Sequence, residues 1–393
     1  MNVLHIVPSM NPDHGGVCQG IRNSIPEMKK NGIHCEVLSF DESNAPYLKL
    51  DKFKVHALGA GRSLWQYNKK LIPWLTKNLE RFDIVIINAL WLYHSYASMK
   101  SFLKYRRLNN KQPRIYVMPH GMLDPYFQKA KERRFKAFRN NVYWNLVEKK
   151  VVNEADGLLF TCQEELLLAR DTFPAYNPKK EINVGYGIQE PPLRSSEMKT
   201  ALKVAVPEWD ERPFFLFLGR INPKKGIEQL IRAYLSLEQT LPDLPQLVIA
   251  GPADHSYGRN VKNLASSSSK ILFPGSLSGH SKWGAFYESG VFILPSHQEN
   301  FGIAVVEALA CSTPVLITKK VNIWDVIHSS EAGVIIDNSE ESILDSLKDW
   351  LSFSDSHRKN LAQNAHKAYS NFFTVEKSTK QFIQGISCSH TLN

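Results

Sequence analysis

Pro295-Ser296-His297-Gln298-Glu299-Asn300-Phe301-Gly302-Ile303-Ala304-Val305-Val306-Glu307 places two carboxylates, Glu299 and Glu307, eight positions apart. The apolar run Val291 to Leu294 enters this stretch, and a helix-like run, Ile303 to Cys311, leaves it. A short apolar run followed by a longer helical one reads as strand, tight loop and helix. Glu299 then falls on the loop, and Glu307 about one turn inside the helix. Between them lie the backbone N–H groups of Asn300, Phe301, Gly302 and Ile303. A helix start leaves such groups without intrahelical acceptors and carries the positive end of the dipole. The place suits a ligand with both phosphates and hydroxyls. Amides and helix end take the anion, and carboxylates accept hydrogen bonds from hydroxyls. The plainer alternative is two unrelated glutamates near a helix start, where the dipole favours negative charge anyway.

Outward from this junction the same alternation continues. Short apolar, β-branched runs are separated by helical patterns, with strand candidates at Val3–Val7, Cys35–Phe40, Lys54–Leu58, Asp83–Ala89, Arg114–Pro119, Gly157–Thr161 and Ile182–Val184. A second series follows at Phe214–Leu218, Gln246–Ala250, Ile271–Pro274, Val291–Leu294, Val315–Thr318 and Gly333–Ile336. Strand and helix in alternation predict parallel sheets covered on both faces. A length of 393 residues, 43% hydrophobic and 22% charged, fits a soluble α/β protein of two domains. The expected division is a first Rossmann-like domain over 1–190, a linker over 191–212, and a second over 213–371. The linker rests on Glu190-Pro191-Pro192, a polar stretch, and Pro207 and Pro213. Residues 372–393 are expected to form a helix crossing back to the first domain, with Phe372 to Ile386 as one helix. Two doubly wound sheets facing each other would make a cleft at the carboxyl ends of their strands.

The net charge of +10 asks for an anionic partner. The densest basic run holds Lys129, Lys131, Arg133, Arg134, Lys136 and Arg139 against one acid, Glu132. Phe135, Phe138 and Val142 follow at spacings of three and four. Two readings of a helix over 129–146 stay open: a basic amphipathic face lying on an anionic membrane, or a surface helix whose Phe side chains enter the core. Nucleic acid is not an expected partner, because no zinc-finger spacing or RNP-type aromatic motif occurs. Cys18, Cys35, Cys162, Cys311 and Cys388 show no CxxC spacing, so reduced thiols and no zinc site are expected. Met1-Asn2-Val3-Leu4-His5-Ile6-Val7-Pro8 reads as a first buried strand rather than a signal peptide, and no run is long enough to span a membrane. The expectation is a cytoplasmic protein, with peripheral contact at the inner face of the membrane through the basic helix.

Four strand ends carry glycine or cationic residues. The first strand leads into Asp13-His14-Gly15-Gly16, which is not GxGxxG, so a dehydrogenase is disfavoured. After Phe214–Leu218 comes Gly219-Arg220-Ile221-Asn222-Pro223-Lys224-Lys225-Gly226, where Arg220 offers a planar fork and Lys225 a point charge to a diphosphate. Pro119-His120-Gly121 closes another strand and offers a hydrogen-bonding or acid–base group. Val184-Gly185-Tyr186-Gly187-Ile188 ends the first domain. No Asp-x-Asp occurs anywhere, so a bound divalent cation is not expected, and Arg220, Lys225 and the helix start at 300–303 are the available positive groups.

Together these residues resemble retaining glycosyltransferases of family four, which have the GT-B architecture. The carriers are Glu299-x7-Glu307, Gly219-Arg220 with Lys225-Gly226, Ile249-Ala250-Gly251-Pro252, Phe273-Pro274-Gly275, and the two glycine loops of the first domain. Tyr186 departs from the pattern, which more often has Asn there. The resemblance implies that Glu307 accepts from the nucleotide ribose and Glu299 from the donor sugar. It implies that Asn300, Phe301, Gly302 and Ile303 hold sugar and phosphate through their backbone, and that Arg220 and Lys225 stabilise the departing diphosphate. His120 is placed near the anomeric carbon, Gly15 and Gly16 near the diphosphate, and Leu277 near the base. The implied catalytic set is His120, Glu299, Arg220 and Lys225, with no metal and no cofactor. Pro119-His120-Gly121-Met122-Leu123-Asp124-Pro125 and the basic, aromatic residues after it resemble bacterial enzymes that build exopolysaccharide or envelope polysaccharide. The implied reaction moves a sugar from a nucleotide-sugar, a UDP-sugar on family frequency, to a glycan or lipid-linked acceptor. Two alternatives remain: a sugar-nucleotide epimerase of the same fold, and a non-catalytic sugar-nucleotide-binding protein.

Overall fold

The structure is a computed structural model that describes residues 1–109, 112–130, 133–241 and 243–387. Lys131, Glu132 and Cys388 lie outside the described residues. The chain folds into two compact units, one of Met1–Gly187 with the helix Val375–Ser387, the other Ile188–Thr374.

The first unit holds seven strands: β1 (Asn2–Ile6), β2 (His34–Ser39), β3 (Lys54–Ala57), β4 (Ile84–Asn88), β5 (Arg114–Met118), β6 (Gly157–Phe160) and β7 (Glu181–Asn183). They pair in the order β3-β2-β1-β4-β5-β6-β7, all parallel. Side chains alternate across a strand, and here both faces are buried. Val85 and Ile87 join a core with Leu4, Ile6, Val117, Phe102 and Trp144. Ile84 and Ile86 join a second core with Val3, Tyr116, Leu159, Phe382 and Ile386. The last two belong to the helix Val375–Ser387, so the carboxyl-terminal helix closes one face of this sheet. Burying two such side chains contributes about 1.5–3 kcal/mol each. Arg114 Nη1 donates to Ile386 O at 2.5 Å, satisfying a carbonyl of the helix's last turn.

The second unit holds β8 (Phe215–Leu218), β9 (Leu247–Ala250), β10 (Ile271–Gly275), β11 (Val291–Leu294), β12 (Val315–Thr318) and β13 (Gly333–Ile336). Their order is β10-β9-β8-β11-β12-β13, again all parallel. Connections run outward in opposite directions from the β8/β11 pair. A doubly wound sheet has its crevice at such a point, outside the carboxyl ends of the strands. The loops that leave β8 and β11 there are 219–226 and 295–302.

Three expectations need correction. The stretch 191–212 is not an unstructured linker. It contains the helix Ser196–Ala205, whose Met198 and Leu202 are buried, and it packs against the helix Gly279–Glu288 of the second unit. The four-residue spacing of Met198 and Leu202 puts both on one helical face. Phe372 is not part of the last helix: a wide turn, Tyr369–Phe373, precedes it, and Thr374 is extended. Nor is 129–146 one helix. Lys129 ends a short helix that starts at Tyr126, and a second helix runs Arg134–Tyr143 before the wide turn Trp144–Glu148. The Phe side chains do not enter a core. Phe135 is 94% exposed and Phe138 74%.

Candidate functional site

In the second unit, the chemistry gathers at the carboxyl ends of β8 and β11. Asn222 accepts Lys224 N with its side chain and starts the tight turn Pro223–Lys225. Gly226 ends the turn at φ 68°, with Pro295 O so close that a Cβ would sit 2.1 Å from it. Only glycine allows both the left-handed backbone and that approach. His297 N donates to Lys224 O at 2.8 Å, and Lys224 Nζ to Gln298 Oε1 at 3.1 Å, so the two loops are bonded edge to edge.

This brings Lys225 onto Glu299, with which it forms an ion pair. Burial pushes the Glu299 carboxyl up, but Lys225, Lys224 and Arg220 together hold it below its ordinary value. Backbone bonds fix its place: Glu299 N donates to Lys320 O at 2.8 Å, and Asn322 N donates to Glu299 O at 3.0 Å. Arg220 is exposed and has no hydrogen bond or ion pair among the described residues. It remains available to an incoming anion.

Gly302 takes φ 74° and caps the helix Ile303–Ala310. The N–H groups of Gly302 and Ile303 donate to no acceptor among the described residues, as expected at a helix start. Phe301 is buried, its ring edge-on to Phe373 at 5.7 Å, and Asn322 Nδ2 donates to Asn300 Oδ1 at 3.4 Å. Glu307 sits on the buried side of this helix. Lys282 Nζ lies 2.5 Å from its Oε1. Burial raises the Glu307 carboxyl above its ordinary value, and the pull of Lys282 does not overcome it. Leu277 lies half-buried between β10 and the helix Gly279–Glu288.

The first unit assembles a different set. Gly15 takes φ 96° and precedes the helix Gly16–Lys30, whose start has no side-chain cap. Tyr186 donates its hydroxyl to Gly16 O at 2.5 Å, and its ring packs over Gly20. The tyrosine that departs from the family pattern therefore ties the two glycine loops of this unit together. His120 has φ 53°, an uncommon conformation for a residue with a Cβ. Its Nε2 lies 3.1 Å from Asn88 Oδ1.

The structure thus brings Arg220, Lys225, Glu299, Asn300–Ile303 and Glu307 to one end of the second sheet, and Gly15, Gly16 and His120 to the corresponding end of the first. Sequence reasoning missed Lys224, Lys282 and Asn88. Lys224 had a signal in its place beside Lys225. Lys282 and Asn88 had none, since each meets its partner across a fold.

Residues 199–368 match the model of the family "Glycosyl transferases group 1". Curated relatives include the D-inositol 3-phosphate glycosyltransferase of Stackebrandtia nassauensis, 27% identical over 53% of this chain and 47% of that protein. The sulfoquinovosyl transferase SQD2 of Arabidopsis thaliana is 29% identical over 36% of this chain and 26% of that protein. The chain spans about a quarter to a half of the length of these relatives. Solved structures similar over nearly the whole chain include the sucrose-phosphate synthase of Thermosynechococcus elongatus, with TM-score 0.73, 19% identity, and coverage of 99% of this chain and 98% of that one. Another is Anabaena HepE in complex with UDP and glucose, with TM-score 0.75, 16% identity, and coverage of 99% and 100%. The two parallel sheets are those of the GT-B fold, and residues 199–368, which hold the second sheet, are similar to the glycosyl transferases group 1 model.

Proposed function

We propose that this chain is a retaining, metal-independent glycosyltransferase that moves a sugar from a nucleotide-sugar donor to a glycan or lipid-linked saccharide in polysaccharide synthesis. One observation carries the reading. Arg220, Lys224 and Lys225 act on Glu299 at the switch point of the second sheet, beside the open amides of Gly302 and Ile303. A departing nucleoside diphosphate gathers negative charge, and preorganised cations and amides aimed at it lower the barrier. Arg220 and Lys225 take that role, Glu299 accepts from the sugar, Glu307 from the ribose, and Leu277 meets the base. In the first unit, His120, Gly15 and Gly16 meet the substrate. Retention is proposed through front-side attack, in which the leaving phosphate oxygen takes the acceptor proton. The Glu299 carboxylate is committed to Lys225 and suits charge compensation better than nucleophilic attack. The UDP and UDP-glucose complexes of HepE support a UDP-sugar as the first donor to try.

A peripheral membrane contact is part of this proposal. Phe135, Phe138, Val142 and Leu146 are 94, 74, 44 and 77% exposed, at spacings of three, four and four. Arg133, Arg134, Lys136, Arg139, Lys149 and Lys150 flank them, and the one acid described in that stretch, Glu148, is fully buried. An apolar stripe with a cationic border suits an anionic leaflet. No helix among the described residues is long and apolar enough to cross a membrane. Phe135→Asp with Phe138→Asp should abolish co-sedimentation with anionic vesicles, and unchanged co-sedimentation would remove this part of the proposal.

The main test is a thermal-shift screen against nucleotide sugars, followed by product analysis. A matched donor raises the melting temperature by mass action, and transfer persists in EDTA. Conversion of donor alone into its epimer would favour the epimerase, and binding without turnover on any acceptor would favour a non-catalytic protein.

A further inference from the structure

Asn88, at the carboxyl end of β4, uses every polar atom it has. Its Nδ2 donates to Ile6 O at 3.3 Å and Ile86 O at 3.2 Å, and its Oδ1 faces His120 Nε2 at 3.1 Å. Its own carbonyl accepts from His94 Nε2 at 2.8 Å. The side chain is buried. Turning the amide over would set its oxygen against two carbonyl oxygens with no proton between them, a costly arrangement away from water. The amide oxygen therefore points at His120, and Nε2 must carry the ring proton. Nδ1 is left with the lone pair. It has no hydrogen bond among the described residues, and His120 as a whole is only partly buried, whereas both nitrogens of His5 and Nδ1 of His94 are buried and unpaired. His120 also lines a cavity of about 60 Å³ with His5, Asn88 and Tyr186. The backbone is clamped as well: Gly121 N donates to Glu165 Oε1 at 2.5 Å, while Glu165 Oε2 accepts from Thr161 N and Oγ1.

We propose that Asn88 is a positioning residue that holds His120 in its neutral, Nε2-protonated tautomer, so that Nδ1 accepts a hydrogen bond from a substrate hydroxyl. The substrate rests on the transferase reading above; the tautomer does not. The groups around the ring fit this role. Burial, and then His5, push His120 down to about 3, while burial holds His5 itself at about 4 and His94 at about 4. Glu165, which holds the next residue's amide, is occupied by the Gly121 and Thr161 amides and the Thr161 hydroxyl. His120 works here as an acceptor and not as an acid.

Nitrogen-15 NMR of histidine-labelled protein tests it, with His120→Gln assigning the signal. A neutral ring protonated at Nε2 from pH 6 to 8 is expected. An Nδ1-protonated ring, or an imidazolium at neutral pH, would overturn the proposal. Asn88→Ala should release a mixture of tautomers and lower kcat a few-fold to about tenfold, the scale of one hydrogen bond, with a smaller change in KM. An unchanged tautomer and kcat in that variant would also overturn it. Should Asn88→Ala fail to fold, the wild-type spectrum decides alone. A spectrum as expected in a protein without transferase activity would sink the functional reading and leave the tautomer assignment standing.

Discussion

Glu299 and Glu307 look alike in the sequence and are opposites in the structure. Glu299 stands on the loop after β11, with Lys225 bonded to it and Lys224 and Arg220 near enough to hold its carboxyl down. Glu307 stands one helical turn on, against a single cation, Lys282, and burial pushes its carboxyl up. Desolvation penalises both. Three positive neighbours outweigh that penalty and one does not. The loop is therefore a reservoir of opposite charges ready to be rearranged around an anion, whereas the helix holds a single buried pair suited to fixing one hydroxyl-bearing group.

The largest expected effect comes from breaking the loop's pairing. Lys225→Ala should slow transfer by about 10²-fold or more, as for other lost transition-state donors. It should also destabilise the fold, because a half-buried carboxylate loses its counter-ion. Lys225→Ala with Glu299→Gln should regain stability and not rate; a double variant as unstable as the single one would mean that the pair is not what holds the loop. Arg220→Ala sharpens the point. Arg220 has no partner to strand, so turnover should fall by about 10²-fold while the melting temperature stays put. Near-wild-type turnover would strike Arg220 from the machinery.

On the helix side, Glu307→Ala should weaken donor binding by roughly 10- to 100-fold, the scale of a hydrogen bond to a charged group, as read by calorimetry. Equal affinity would leave the ribose contact without support. The smallest effect is in stability against pH. A carboxyl held low stabilises the fold above its unfolded value of about 4.3, and that contribution fades as pH falls through the depressed value. A carboxyl held high does the reverse, and stability improves as pH falls through the raised value. Glu299→Gln should therefore melt lower than wild type at neutral pH, with a gap that closes in acid. Glu307→Gln should melt at or above wild type at neutral pH. Differences of about 2–4 °C correspond to roughly 1 kcal/mol, and identical pH curves for the two variants would erase the contrast.

The central strands were legible because a parallel strand buried on both faces is apolar along its length, as in Ile84–Asn88 and Val291–Leu294. All thirteen candidate runs contain a strand, the half-exposed edges Lys54–Ala57 and Glu181–Asn183 included. The loop of Glu299 and the helix start after it were legible for the same local reason. What could not be read was anything fixed by distant partners. Lys282 finds Glu307, and Asn88 finds His120, only after the sheets have formed. The stretch 191–212 misled because Pro191, Pro192 and Pro207 flank a helix with just two strongly apolar anchors, Met198 and Leu202. Periodicity showed that Phe135 and Phe138 share a face, but it could not show that no element among the described residues would cover that face.

The helix Val375–Ser387 completes the core of a unit whose other residues end at Gly187. A ribosome delivers the seven strands of that unit first, yet Phe382 and Ile386 arrive only after the whole of Ile188–Thr374 has been made. During synthesis the second unit has all its own parts in hand before the first does. The early-made sheet must wait with the cluster of Val3, Ile84 and Tyr116 only partly covered, so the order of translation and the order of final closure run in opposite directions.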